Sequence, residues 1–126
     1  MEAFYRATGG PDWDSDTNWL STGPLNDWYG VTADSSDQVQ ALHLQDNNLA
    51  DSLPVVLRLL AGLEELKING NENMSGEVPL EWADPLGIFG GAFPLLEVFH
   101  AHDTGICALP TQEMRNWLAQ IEDAFG

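Results

Sequence analysis

Two short stretches hold side chains that could bind a cation. In DWDSDTN, Asp12, Asp14, Asp16 and Asn18 stand at alternate positions, as in the oxygen-rich loop of a calcium site. Such a loop also needs a glycine at its sharp turn and a bidentate glutamate at its end. Thr17 and Gly23 occupy those places here. The expected structure is therefore an acidic surface turn bonded to its own backbone; a calcium-dependent or other ligand-binding acidic surface is the alternative. In HAHDTGIC, His100, His102, Asp103 and Cys107 are all potential metal ligands. A strand rise of about 3.3 Å puts His100 and His102 on one side of the chain, and that side is expected to be the core. His100 is then a buried, satisfied histidine and Cys107 a small core residue. No metal and no cofactor are expected. No Gly-x-Ser-x-Gly, phosphate-loop, dinucleotide-binding or His-Glu-x-x-His pattern occurs. Carboxylate pairs for hydrolysis abound, but no spacing selects one, so the expectation is a chain that is not an enzyme.

The carboxylates dominate the composition. Twenty acidic residues face four basic ones in 126 residues, giving a net charge of −16 and a pI near 4.1. Such a surface repels phosphate backbones and anionic lipid, which argues against nucleic-acid and membrane-surface roles. Solubility is the plain consequence; a protein partner that is basic, or a place in a larger assembly, is the sharper one. Apolar residues make up 44% of the chain, enough for one domain with a real core. No apolar run approaches the roughly 18 residues of a membrane span, and no basic-then-apolar leader opens the sequence. A single cysteine excludes an internal disulfide framework.

The elements that would position any site come from a repeat. Val39-x-x-Leu42-x-Leu44-x-x-Asn47-x-Leu49, then Leu53-Pro54, matches Leu63-x-x-Leu66-x-Ile68-x-x-Asn71, then Met74-x-Gly76-x-Val78-Pro79, at an offset of 24 residues. Asn71 to Met74 contains one extra turn residue. A third, weaker copy is expected at Leu95-x-x-Val98-x-His100-x-x-Asp103-x-x-Ile106, another 32 residues on. In each copy a short strand turns its first apolar pair inward. The chain then bends, and an inward asparagine supplies donors and an acceptor to backbone groups that the next strand leaves unpaired. Asn47 and Asn71 are expected to form such a ladder, with Asp103 as an imperfect third rung. Offsets of this size belong to stacked coils that bury a core only against their neighbours, so both ends need covering. Trp13, Trp19, Trp28 and Tyr29 suit one end. A helix with Met114, Trp117, Leu118, Ile121 and Phe125 on one stripe, N-capped by Thr111, suits the other.

The stretches FYRATGGPDWDSDTNWLSTGPLNDWYGVTAD, LHLQDNNLADSLP and LKINGNENMSGEVP resemble plant-type leucine-rich-repeat proteins, most closely the cysteine-poor forms common in bacteria and unicellular algae. The ending DTGICALPTQEMRNWLAQIEDAFG is similar to their terminal segment, and the resemblance covers nearly the whole chain. It implies an α/β fold: a short leucine-rich-repeat solenoid of about three coils, with a helical, aromatic-rich N-terminal cap and a C-terminal capping helix. The boundaries expected are 1–38 for the first cap, 39–62, 63–94 and 95–110 for the repeats, and 111–126 for the last helix. It also implies protein recognition without catalytic machinery. Three departures stand out: the cap lacks a cysteine pair, Ala50-Asp51-Ser52-Leu53 replaces the usual turn, and His100 sits where an aliphatic residue belongs.

The surface expected to act is the concave sheet. Its outward positions are Ala41, His43 and Gln45, then Glu65, Lys67 and Asn69, then Glu97, Phe99 and Ala101, with Phe99 as the aromatic anchor. The insertion DPLGIFGGAFP, residues 84–94, is a rival docking element through Ile88 and Phe89. Its apolar residues either fold onto the core or protrude.

Overall fold

Alternating polar and apolar side chains set the strand pattern. The computed structural model describes residues 1–84 and 91–124. A first helix spans Glu2–Ala7 (α1), and a first strand Val31–Ala33 (β1). Val39–His43 (β2) buries Leu42, with Leu44 just beyond it, and turns His43 to the other face. Ala50–Asp51 (β3) follows, then Glu65–Lys67 (β4), Asn73–Glu77 (β5), Val98–His100 (β6) and Gly105–Cys107 (β7). The helix Gln112–Ala119 (α2) and the strand Asp123–Ala124 (β8) complete the order. One sheet runs β1-β2-β4-β6-β8, parallel except for β1, which pairs antiparallel with β2 and closes that edge. A parallel ribbon of β3, β5 and β7 runs along the turns. The remaining side holds 3-10 turns at Val55–Leu59 and Leu80–Ala83 and then α2, each packed on the next. Pro54 and Pro79, with φ near the value their rings fix, lead into the two turns. Thr111 starts α2 by accepting the Met114 amide at 3.1 Å.

The register fixes which residues share a layer. Leu42 pairs with Leu66, Leu66 with Phe99, and Phe99 with Ala124. The third coil is therefore framed one residue later than its leucines suggest: Leu96-x-x-Phe99-x-Ala101-x-x-Thr104-x-Ile106. A slip of one residue exchanges the two faces of a strand, and every expectation built on the earlier frame changes. Phe99 is wholly buried and Ala101 is inward, so neither belongs to the outer face. Val98 is outward, and Leu95 is exposed. His100 lies level with Lys67 on the outer face rather than in the core. Cys107 is exposed on β7. The C-terminal helix also stops early, at Ala119. Ile121, two residues before the Asp123–Val98 pair, takes the inward place of Leu96 in a fourth strand layer.

The asparagine ladder has two full rungs. Asn71, fully buried, donates through Nδ2 to the Leu44 and Ile68 carbonyls at 3.0 and 2.7 Å. Its Oδ1 accepts the Asn47 and Leu49 amides at 2.8 and 3.0 Å. Asn47 repeats this outward to the N-terminal segment, accepting from Ser15 N and donating to Ser15 O. The third position is Thr104, not Asp103. Its hydroxyl donates to Ala101 O at 2.6 Å and accepts from Ile106 N at 3.1 Å. Asp103 instead holds a left-handed turn at φ 55° and is exposed, a conformation that Asn and Asp tolerate.

Beyond the first coil, Phe4, Tyr5, Trp13, Trp19 and Trp28 pack edge-on or tilted, with Tyr5 stacked on Trp19, at ring centroids 4.8–6.3 Å apart. The Trp13 and Trp19 indoles donate to Thr8 O and Tyr29 O, while Tyr29 itself stands outside the cluster, 41% exposed. Gly30 then takes φ 76° so that its carbonyl accepts the His43 amide at 2.7 Å; a side chain there would strike the His43 carbonyl oxygen.

Candidate binding surface

The outer face of the five-stranded sheet presents three rows that cross the coils. Strand alternation and the parallel register place Ala41, Glu65, Val98 and Asp123 in the first. His43, Lys67 and His100 form the second. Gln45, Asn69 and His102 form the third, held by Asp46 N to Asn69 O and Gly70 N to His102 O, both at 3.0 Å. Two cross-coil bonds tie the first row to the second. His43 Nε2 meets Glu65 Oε1 at 2.7 Å, and His100 Nε2 meets Asp123 Oδ2 at 2.8 Å. Each joins one strand to its neighbour, so both imidazoles have a carboxylate partner. Lys67, half-buried between them, makes no ion pair with any described residue. The His100 and His102 rings lie 5.8 Å apart. At the β1 edge, the small Ala41 leaves a shallow depression between Thr32, His43 and the carboxylates of Glu64, Glu65 and Glu97.

The chain has three histidines and one lysine, and all four stand in the second and third rows. The three arginines, Arg6, Arg58 and Arg115, lie on other elements. In a chain of charge −16, this face carries most of the groups able to be cationic.

Over 66 residues, 51% of the chain, the sequence is 31% identical to a probable leucine-rich repeat receptor-like protein kinase of Arabidopsis thaliana, of which the match spans 7%. No protein-family model matches the chain. The crystal structure of the BIR2 ectodomain from Arabidopsis thaliana shares the fold with a TM-score of 0.73, covering 93% of the chain and 59% of the ectodomain at 17% identity. The chain has a leucine-rich-repeat fold.

In leucine-rich-repeat terms, β2, β4 and β6 are the concave strands, and the three rows are the concave face. Of the expected face, His43, Gln45, Glu65, Lys67 and Asn69 lie on it. Glu97 sits on its rim, before β6, and Phe99 beneath it. Val98, His100 and His102 take the outward places of the third coil. The signal for that frame was present in the sequence: Thr104-x-Ile106 repeats Asn47-x-Leu49 without an inserted residue, whereas Asp103-x-x-Ile106 needs one.

The cation-like stretches are engaged in local bonds. Asp16 accepts the Tyr5 hydroxyl at 2.8 Å, Asn18 donates to Asp27 O, and Asp12 O accepts from Asn48. Among the described residues, no three His, Cys, Asp or Glu side chains are grouped to hold a metal ion. No helix among them is long and apolar enough to cross a membrane. Ile88 and Phe89 lie outside the described residues. After them, Phe93 is buried edge-on to Trp82 at 4.9 Å, and the Trp117 indole donates to Ala92 O at 2.8 Å.

Proposed function

We propose that the chain is a non-catalytic protein-interaction module, or a small scaffold subunit, that engages its partner through the concave face. One observation carries this. All three histidines and the single lysine of a chain with twenty carboxylates stand in adjacent rows of one sheet face. A face left to solvate the molecule would share the composition of the remaining surface; this one does not. The rows sit on a sheet whose other side is packed core, and such backing holds a recognition surface in register. The leucine-rich-repeat fold supports the choice, because stacked coils present an extended surface built one strand at a time. Within this reading, the aromatic segment 1–38 covers one end of about three coils, and α2 with β8 covers the other. Residues 84–94 are a secondary contact.

The test is partner capture from the native source, with three proteins compared: wild type, Lys67→Glu with His100→Glu on the face, and Val56→Ser with Leu59→Ser on the opposite, exposed turn. The reading predicts that the first substitution pair loses the partner and the second retains it. Retention by the face variant with loss by the turn variant moves the function to the convex side.

A further inference from the structure

The rows of the concave face also point to the polarity of what docks there, an inference that rests on the reading above. Net charge averages over the whole surface, whereas the histidines and the lysine are gathered on this face beside four carboxylates. At physiological salt the Debye length is about 8 Å, so a docking side chain responds to the groups beneath it more than to distant carboxylates. Those groups are His43, Lys67 and His100 side by side, with His102 one row further on. The carboxylates that face the row are Glu65 on β4 and Asp123 on β8, with Glu64 and Glu97 at the rim; β1 contributes only Thr32 and no titratable group. Glu65 and Asp123 are already bonded, to His43 and His100 respectively. They leave Lys67 as a half-buried ammonium without an ion-pair partner among the described residues, between two imidazoles.

We propose that the concave face receives an acidic segment of a partner protein, one of whose carboxylates docks on Lys67 between His43 and His100. A carboxylate there gains a charge-assisted hydrogen bond from Lys67. It stands beside imidazoles that their own carboxylates hold in place. A basic segment would meet the Lys67 ammonium instead, and like charges repel.

The test uses the full chain and two labelled peptides of equal length, an Asp–Gly repeat and a Lys–Gly repeat, titrated at low ionic strength. The Asp–Gly peptide is expected to bind and the Lys–Gly peptide is not. Lys67→Gln is expected to weaken it by roughly ten- to a hundredfold, the range of a lost charged hydrogen bond. Lys67→Arg, which keeps the charge, is expected to restore most of it, and thermal melts of both variants are recorded alongside to show that they fold. Three results overturn the acidic assignment: binding of the Asp–Gly peptide that Lys67→Gln leaves unchanged, binding of neither peptide, or binding of the Lys–Gly peptide instead with sensitivity to Glu65→Gln. The last leaves the concave face as the docking site, and that site itself stands or falls only in the captured-partner comparison.

Discussion

A single side chain can hold two coils together here, and Asn71 does so. Removing it strands Leu44 O, Asn47 N and Leu49 N in a region closed to water. Each orphaned buried group costs about 1–3 kcal/mol, so Asn71→Ala is expected to lose about 2–4 kcal/mol in chemical denaturation. Asp103→Asn, at an exposed turn, is expected to stay within about 0.5 kcal/mol of wild type. Equal effects would return Asp103 to the ladder. Tyr5 gives a pH signature at the same scale. Its hydrogen bond to Asp16, with burial and the charge of that carboxylate adding, raises its pKa above the ordinary 10.0. The folded state then keeps a proton that the unfolded state has lost. The stabilisation is complete below about pH 10 and disappears as pH rises through the raised value. Ultraviolet titration and alkaline denaturation of Tyr5→Phe check this: the alkaline limb should flatten. An unchanged limb contradicts it.

Among the elements, the third strand separates two uses of neighbouring side chains. Phe99 is buried under β6, with its ring 6.3 Å from that of Trp117 on α2. Phe99→Ala is expected to cost about 3–5 kcal/mol in a denaturation curve through the cavity it leaves. Val98→Ala, on the outer face, is expected to cost less than about 1 kcal/mol. Reversed magnitudes would restore the earlier frame. Much of the architecture was legible, because Leu42, Leu44, Leu66 and Ile68 alternate cleanly and Asn47 and Asn71 mark the turns. The third coil was not. Leu95 and Leu96 are adjacent, and so are Val98 and Phe99, so apolar pattern alone fits both frames, and leucine at the first position pulled the choice the wrong way. The Thr104-x-Ile106 spacing favours the later frame, and the pairing to β4 fixes it. The C-terminal strand was hidden for a related reason: Met114, Trp117 and Ile121 satisfy a helical stripe, although Ile121 is already part of the next strand layer.

For the whole molecule, the distribution of charge matters more than its total. The concave positions of the first two coils could be named from the sequence, but the gathering of every histidine on that face appears only once the third coil is framed correctly. In the acidic stretch 12–18, by contrast, the Asp16 carboxylate accepts the Tyr5 hydroxyl, and no three ligating side chains among the described residues are grouped. Exhaustive chelation is therefore expected to leave the melting temperature unchanged, as read by circular dichroism, and a loss of several degrees would show a structural cation. The same distribution provides a direct assay of where the partner sits. His43, His100 and His102 are the only imidazoles, and all report on the concave face. Cys107 is the only thiol and is exposed on β7, outside that sheet. A fluorine tag on Cys107 and the imidazole resonances can be followed in one nuclear magnetic resonance titration with the captured partner. Docking on the concave face predicts that the imidazole resonances shift on binding while the Cys107 tag stays in place. Silent imidazoles with a moving tag would contradict it and put the function on another surface.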